Sequence, residues 1–403
     1  MLVMEQQKEN HPQFVFIVGT PRSGGSVTLA SLDGHPDILA WPYEFTYFPF
    51  FYQIAGERKK VPVSELNQKL TDVSLQYFSK RIKHGGGLYD KDSTKSSGGN
   101  DFNIGDLDFQ LFLQSINAEK EKSVNAVEYL TYLFECLKYS NRQYRDKSVK
   151  YYLLLTTARG FDWHDEDLLK SSMFLYSYRD AEDSYASIRE KYLKDSDLNV
   201  FLSLKRKKSS LYWLENYRRI SRYVEKHINA VNFMVIPLKD LQKETEEVLK
   251  HICSFLKIEP HPNIFNLTIM GNPYKGNARE GNLNAGKIAK RTSKPSVPLC
   301  SFEQRIFALL DLFDFPGHKK RDLPSFGFIE MIRKAFSSAF IELPGDKVWK
   351  GGNPVVTRRF IKRLTIFCKL CGIYTALKNV WLAKRFIRKG NKHIINNPFW
   401  SEK

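Results

Sequence analysis

Residues 14–26, FVFIVGTPRSGGS, run from an apolar stretch into Gly19-Thr20-Pro21-Arg22-Ser23-Gly24-Gly25-Ser26. The apolar part is short, β-branched and aromatic, and is stopped by glycine, which predicts a buried strand. Residues 26–32 have helical composition, so a glycine-rich loop joins that strand to a helix N-terminus. The first turn of a helix leaves backbone N–H groups without acceptors, and these attract anions. The stretch therefore has the frame of a phosphate-binding loop, with one departure. In nucleotide triphosphatases the residue before the final Ser or Thr is a lysine that reaches the β- and γ-phosphates. Here that residue is Gly25, and the cation stands three positions earlier, at Arg22. The displacement points to a nucleotide with a different phosphate arrangement.

Working outward, residues 150–156 (KYYLLLT), 173–178 (MFLYSY) and 232–237 (NFMVIP) predict further buried strands, and residues 244–256 predict a helix. Strands separated by helical stretches indicate an α/β fold with a parallel sheet. The expected architecture is a P-loop-like three-layer α/β/α domain over residues 1–330, followed by a basic helical extension over residues 331–403. Residues 85–104 and 281–298 are polar and glycine- or lysine-rich, and read as surface loops. Ser301-Phe302-Glu303-Gln304 fits a capping box.

The chain has 403 residues, more than a single core usually covers. Its 62 Lys and Arg against 44 Asp and Glu give a formal charge of +18, which favours anionic partners without choosing among them. The five cysteines are an odd number in a long chain, against a disulfide-stapled secreted domain. Cys368-Lys369-Leu370-Cys371 has no second pair and reads as two apolar positions one helical turn apart. Neither a signal-peptide core nor a membrane-length apolar run is present, so a cytoplasmic location is expected. From Gly351 to Lys403 twelve Lys or Arg face one acid, Glu402, and Val355, Phe360, Ile361, Leu364, Phe367 and Cys368 recur at helical spacing. Such a basic amphipathic pattern suits either a peripheral position on an anionic membrane face or packing on the chain's own domain.

Residues 19–37, GTPRSGGSVTLASLDGHPD, resemble the 5′-phosphosulfate loop and following helix of the sulfotransferase superfamily, in particular the bacterial carbohydrate-type and tyrosylprotein sulfotransferases. Those relatives carry Arg-Ser-Gly-Thr-Thr-Leu followed by a Leu-Asp-small-His-Pro segment, matched here by Leu32-Asp33-Gly34-His35-Pro36. Residues 178–187, YRDAEDSYAS, resemble the second family motif, an arginine at a strand end and a serine eight positions on. The resemblance covers roughly residues 14–316. It implies transfer of a sulfuryl group from 3′-phosphoadenosine 5′-phosphosulfate, without a metal, to an acceptor hydroxyl.

The same resemblance assigns Arg22, Ser23, Gly24, Gly25 and Ser26 to the 5′-phosphosulfate, with Arg22 also stabilising the leaving group. It gives Arg179 and Ser187 to the 3′-phosphate, a geometry that suits an arginine fork. Lys275, Gly276 and Arg279 resemble the family's Gly-Asn-Ser segment near the 3′ side. Glu44 inherits the role of general base by its position after the His-Pro segment, and its aromatic setting, WPYEFTYFPFFY, leads us to expect desolvation of its carboxylate. His35 is the rival base, with a local structural bond as its plainer role. Three departures stand out: Gly25 for threonine, Thr156-Thr157-Ala158-Arg159 where relatives carry Lys-Thr-Pro, and Ala181 for proline or glycine. The acceptor is expected to be a carbohydrate or glycolipid, then a small alcohol, then a tyrosine peptide; nucleic acid is disfavoured. The alternatives are a nucleotide kinase or NTPase with a degenerate loop, and a non-catalytic basic protein that binds membrane or nucleic acid.

Overall fold

The computed structural model describes residues 12–20, 22–71, 103–104, 106–119, 121–156, 166–180, 183–184, 187, 230–274 and 288. The chain divides into two compact units, Met1–Arg179 with Ala230–Thr292, and Asp180–Asn229 with Ser293–Lys403. The expected boundary after residue 330, the capping box at Ser301, the CxxC pair and the basic C-terminal pattern lie outside the described residues.

The first unit is built on a five-stranded sheet of β1 (Gln13–Gly19), β2 (Ile38–Ala40), β3 (Tyr151–Leu155), β4 (Met173–Tyr178) and β5 (Phe233–Pro237). All of its pairings are parallel, and the spatial order is β2-β3-β1-β4-β5. Val15, Phe16, Ile17 and Val18 are wholly buried, as a strand with helices on both faces requires. After β1 the chain leaves toward β2, and after β4 it leaves toward β5. The order therefore reverses between β1 and β4, and the crevice at their carboxyl ends is where open α/β sheets bind ligands.

The helices are α1 (Gly25–Leu32), α2 (Tyr47–Ala55), α3 (Val63–Lys69), α4 (Phe109–Ile116), α5 (Ala126–Ser140), α6 (Glu166–Ser171), α7 (Leu238–Lys243) and α8 (Thr245–Phe255). One face of the sheet carries α2, α4 and α5 through an aromatic layer. Phe134 of α5 stacks on Tyr152 at 4.6 Å, Phe48 of α2 lies 5.9 Å from Phe16, and Trp41 meets Phe112 of α4 edge-on. On this face α3 is joined to α5 by the Tyr129 hydroxyl, which donates to Asn67 Oδ1 at 2.8 Å. The other face carries α1, over Ile17 and Leu155, and α8, whose following Leu256 carbonyl accepts from the Tyr151 hydroxyl. The three-layer α/β/α arrangement expected from the strand pattern is thus present in the described residues.

The Asp33 carboxylate, buried just past α1, accepts from Thr268 Oγ1 at 2.7 Å and from the Gly271 N–H at 3.2 Å. Burial raises its pKa above the ordinary range. Sequence patterning located β1, β3, β4, β5 and α8 to within a residue or two. It gave no sign of β2, because three residues are too few to show a period, and their pairing with β3 comes from tertiary contact. Among the described residues no helix is long and apolar enough to cross a membrane.

Candidate active site

The loop after β1 turns tightly, with the Ser23 N–H donating to the Thr20 carbonyl at 3.1 Å. Arg22 adopts a left-handed backbone with φ of 70°, unusual for a residue with a Cβ and about 1–3 kcal/mol in strain. Such conformations cluster where function requires them. The Val27 and Thr28 N–H groups donate to the Gly24 carbonyl and start α1. The Gly25 and Ser26 N–H groups precede any intrahelical acceptor and face out of the helix end. The first turn of α1 holds no acidic residue, so the positive end of its dipole is left for an anion.

Glycine at 24 and 25 has a packing cause in this structure. Gly24 has φ of 104°, and a Cβ there would lie 2.7 Å from Leu238 Cδ1. A Cβ on Gly25 would lie 2.7 Å from Leu155 Cδ1 and 3.6 Å from Ile17 Cγ2. The space beside both backbones is filled by protein. These glycines let the start of α1 press onto the sheet and onto Leu238, which holds the loop's N–H groups over the strand ends. The threonine that relatives carry in place of Gly25 would collide with Leu155.

Arg179, directly after β4, donates from Nη1 to the Arg22 carbonyl at 3.2 Å. The two cationic motifs, far apart in sequence, therefore meet at the switch point. Thr28 Oγ1 and Ser177 Oγ, 3.2 Å apart, link α1 to β4 beneath them. Ser23 is buried, while Arg22 and Ser26 are half-buried. Ser187 is buried on helical backbone in the second unit, where the Ser184 N–H donates to the Asp180 carbonyl. Lys275, Gly276, Arg279 and Arg159 lie outside the described residues.

The segment carrying Glu44 runs along the end of β3. The Trp41 N–H donates to the Leu153 carbonyl at 2.8 Å and the Phe45 N–H to the Leu155 carbonyl at 2.9 Å. The Thr156 N–H in turn donates to the Ile17 carbonyl of β1 at 2.9 Å. Glu44 is thereby fixed beside β3, with that one strand between it and β1. The aromatic run turns Trp41, Phe45, Tyr47 and Phe48 inward and leaves Glu44 exposed, so the desolvation expected for it is absent from this structure.

His35 is committed to the fold. Its Nδ1 accepts from the Asp37 N–H at 3.1 Å, which fixes the tautomer, and Nε2 donates to the Glu259 carbonyl at 2.9 Å. Neither nitrogen is left to take a substrate proton. Burial lowers its pKa below the ordinary value of 6.5.

Among the described residues, three buried polar atoms at the same sheet end have no hydrogen-bond partner: Thr20 Oγ1, Thr156 Oγ1 and Trp41 Nε1. They follow β1, β3 and β2 respectively. Sequence reasoning did not single out these side chains, because a threonine or tryptophan at a strand end carries no pattern of its own.

Gly24→Ala should lower stability by about 1–3 kcal/mol through backbone strain and the Leu238 contact, and Leu238→Ala in the same chain should recover part of it, both read by urea unfolding. For His35 the folded-state pKa lies below the unfolded one, so its contribution is complete above about pH 6.5 and is lost as pH falls toward the folded-state value. The stability gap between the wild type and His35→Gln should therefore narrow from about pH 7.5 to about 5.5; a gap independent of pH would contradict it.

No family model matches the chain, and no curated protein matches it. Among solved structures it is similar to the sulfotransferase domain of the Synechococcus olefin synthase, at 16% identity and TM-score 0.43 over 77% of this chain and 99% of that one. It is also similar to the sulfotransferase domain of the curacin biosynthetic pathway, at 16% identity and TM-score 0.40 over 76% and 100%. A sulfotransferase from Alicyclobacillus acidocaldarius matches at 15% identity and TM-score 0.32 over 64% and 89%.

Proposed function

We propose that the chain is a sulfotransferase that moves a sulfuryl group from 3′-phosphoadenosine 5′-phosphosulfate to an acceptor hydroxyl. The observation that carries this reading is the Arg179 contact with the Arg22 carbonyl. It supports two cationic groups at one switch point, each after its own strand, instead of the single lysine of a triphosphate loop.

The residues present fit this donor. An uncompensated helix N-terminus, two arginines and buried unpartnered hydroxyls form a donor set suited to an oxyanion. When bound, the donor supplies an activated sulfuryl group on its 5′-phosphate. The Gly25 and Ser26 N–H groups, Ser23, Ser26 and Arg22 would hold the 5′ end, and Arg22 would offset the charge that grows on the bridging oxygen. Arg179 would bind the 3′-phosphate, the role that the family resemblance also gives Ser187. Glu44 would take the acceptor's proton as the new O–S bond forms and the bond to the bridging oxygen breaks. Its exposed position beside the end of β3 makes it accessible to an acceptor.

A carbohydrate or glycolipid is the acceptor we favour; within the aromatic run of residues 41–52, the half-buried rings of Tyr43, Phe50 and Tyr52 are the ones that could stack on sugar rings. The basic segment from Gly351 to Lys403 suits an anionic membrane face as partner, with the chain peripheral on the cytoplasmic side. The rival readings, a degenerate-loop kinase or NTPase and a non-catalytic basic binding protein, make opposite predictions about ligands.

In calorimetry with chelator present, adenosine 3′,5′-bisphosphate should bind and ATP should not, and Arg179→Ala should weaken that binding by about tenfold or more. Binding of ATP that requires magnesium would favour the kinase, and no binding of either the non-catalytic protein. Labelled sulfate transfer onto a host extract should fall about 10²–10⁴-fold in Glu44→Gln. Full activity in that variant would place the base elsewhere.

A further inference from the structure

Buried polar atoms without partners are rare in native proteins, and each one needs a cause. Here three fall together at the carboxyl ends of the neighbouring strands β2, β3 and β1, beside the loop. Thr156 is the most informative of them. It is 2% exposed, its N–H is fixed on the Ile17 carbonyl, and its hydroxyl is unpartnered. Leu155 lies under Gly25 on the α1 face of the sheet. Side chains alternate along a strand, so Thr156, which continues β3 by one residue, points to the opposite, aromatic face. The helix end that suits the 5′ end of the donor thus lies over one face, and the Thr156 hydroxyl lies toward the other, at the end of the strand beside which Glu44 is held.

Gly25 completes the argument. A Cβ there would lie 2.7 Å from Leu155 Cδ1, so the loop presents no side chain at that position. The next residue after Leu155 brings a buried hydroxyl to the same sheet end. We propose that Thr156, together with Thr20, donates its hydroxyl hydrogen to the oxygens of the sulfuryl group in transfer, supplying from the strand end the contact that Gly25 cannot make. The proposal rests on the sulfotransferase reading. Neither threonine gains or loses a proton: the acceptor O–S bond forms, the S–O bond to the 5′-phosphate breaks, the proton goes to Glu44, and the bisphosphate leaves.

A buried hydroxyl kept without a partner burdens the ligand-free protein, which separates this role from a structural one. Thr156→Val, near-isosteric and without the hydroxyl, should raise the midpoint of thermal unfolding of the ligand-free chain by about 2 °C or more. By calorimetry it should weaken 3′-phosphoadenosine 5′-phosphosulfate by about tenfold while adenosine 3′,5′-bisphosphate, which has no sulfuryl group, changes by about twofold or less. Thr156→Ser should retain wild-type affinity for both, and Thr20→Val should follow Thr156→Val in direction. Equal loss for the two ligands, no loss for either, or a lower unfolding midpoint in Thr156→Val would overturn the proposal. If the wild type binds neither ligand, the sulfotransferase reading falls first, and the proposal with it.

Discussion

The close approach of the α1 N-terminus to the sheet governs the arrangement of this protein. With no Cβ on Gly25, the helix start rests on Leu155 of β3 and Ile17 of β1, and with none on Gly24 it lies against Leu238 after β5. Dense packing of protein on protein thereby sets where the loop's N–H groups stand. A helix pushed back by even a methyl group would carry its positive end away from the strand ends, because close-packed interiors transmit such shifts. The left-handed Arg22 and Gly24 that join strand to helix are the backbone consequence of turning the chain in so little space.

Strand order adds the second cation. Because β4 pairs with β1, with Gly19 opposite Ser177, the residues just past each strand emerge side by side, and Arg179 reaches the Arg22 carbonyl. The +18 formal charge of the whole chain gives a general attraction to anions. The register of β1 with β4 turns part of that charge into a local feature. On the opposite flank, the Trp41 and Phe45 N–H groups extend the ladder of β3, so that Glu44 is held by backbone bonds although its side chain is exposed.

The sheet's carboxyl end also carries backbone strain and buried polar atoms without partners. Arg22 with its positive φ and three buried polar atoms without partners lie there; positive φ also occurs at Lys257 and Met270, and Asn272 Nδ2 is likewise buried without a partner, whereas Asp33, His35 and Asn67 are bonded. A buried aromatic layer backs the strands on one face.

The sequence by itself determined the class of fold and the position of the anion loop. Apolar runs of five or more residues, stopped by glycine or followed by helical stretches, carry a local signal of their own for β1, β3, β4 and β5. It also singled out Arg22 in the loop and, through the family resemblance, Arg179 and Glu44, because those motifs are read along one dimension. Tertiary structure alone decided the pairing of β2, the tautomer and structural commitment of His35, the exposure of Glu44, and the packing reason for Gly24 and Gly25. It alone showed that the Thr20 and Thr156 hydroxyls lack partners. The physical reason is common to all of these: each depends on which atoms from distant parts of the chain arrive within a few ångströms, and a threonine or glycine looks the same in sequence whether or not its neighbours fill the space beside it.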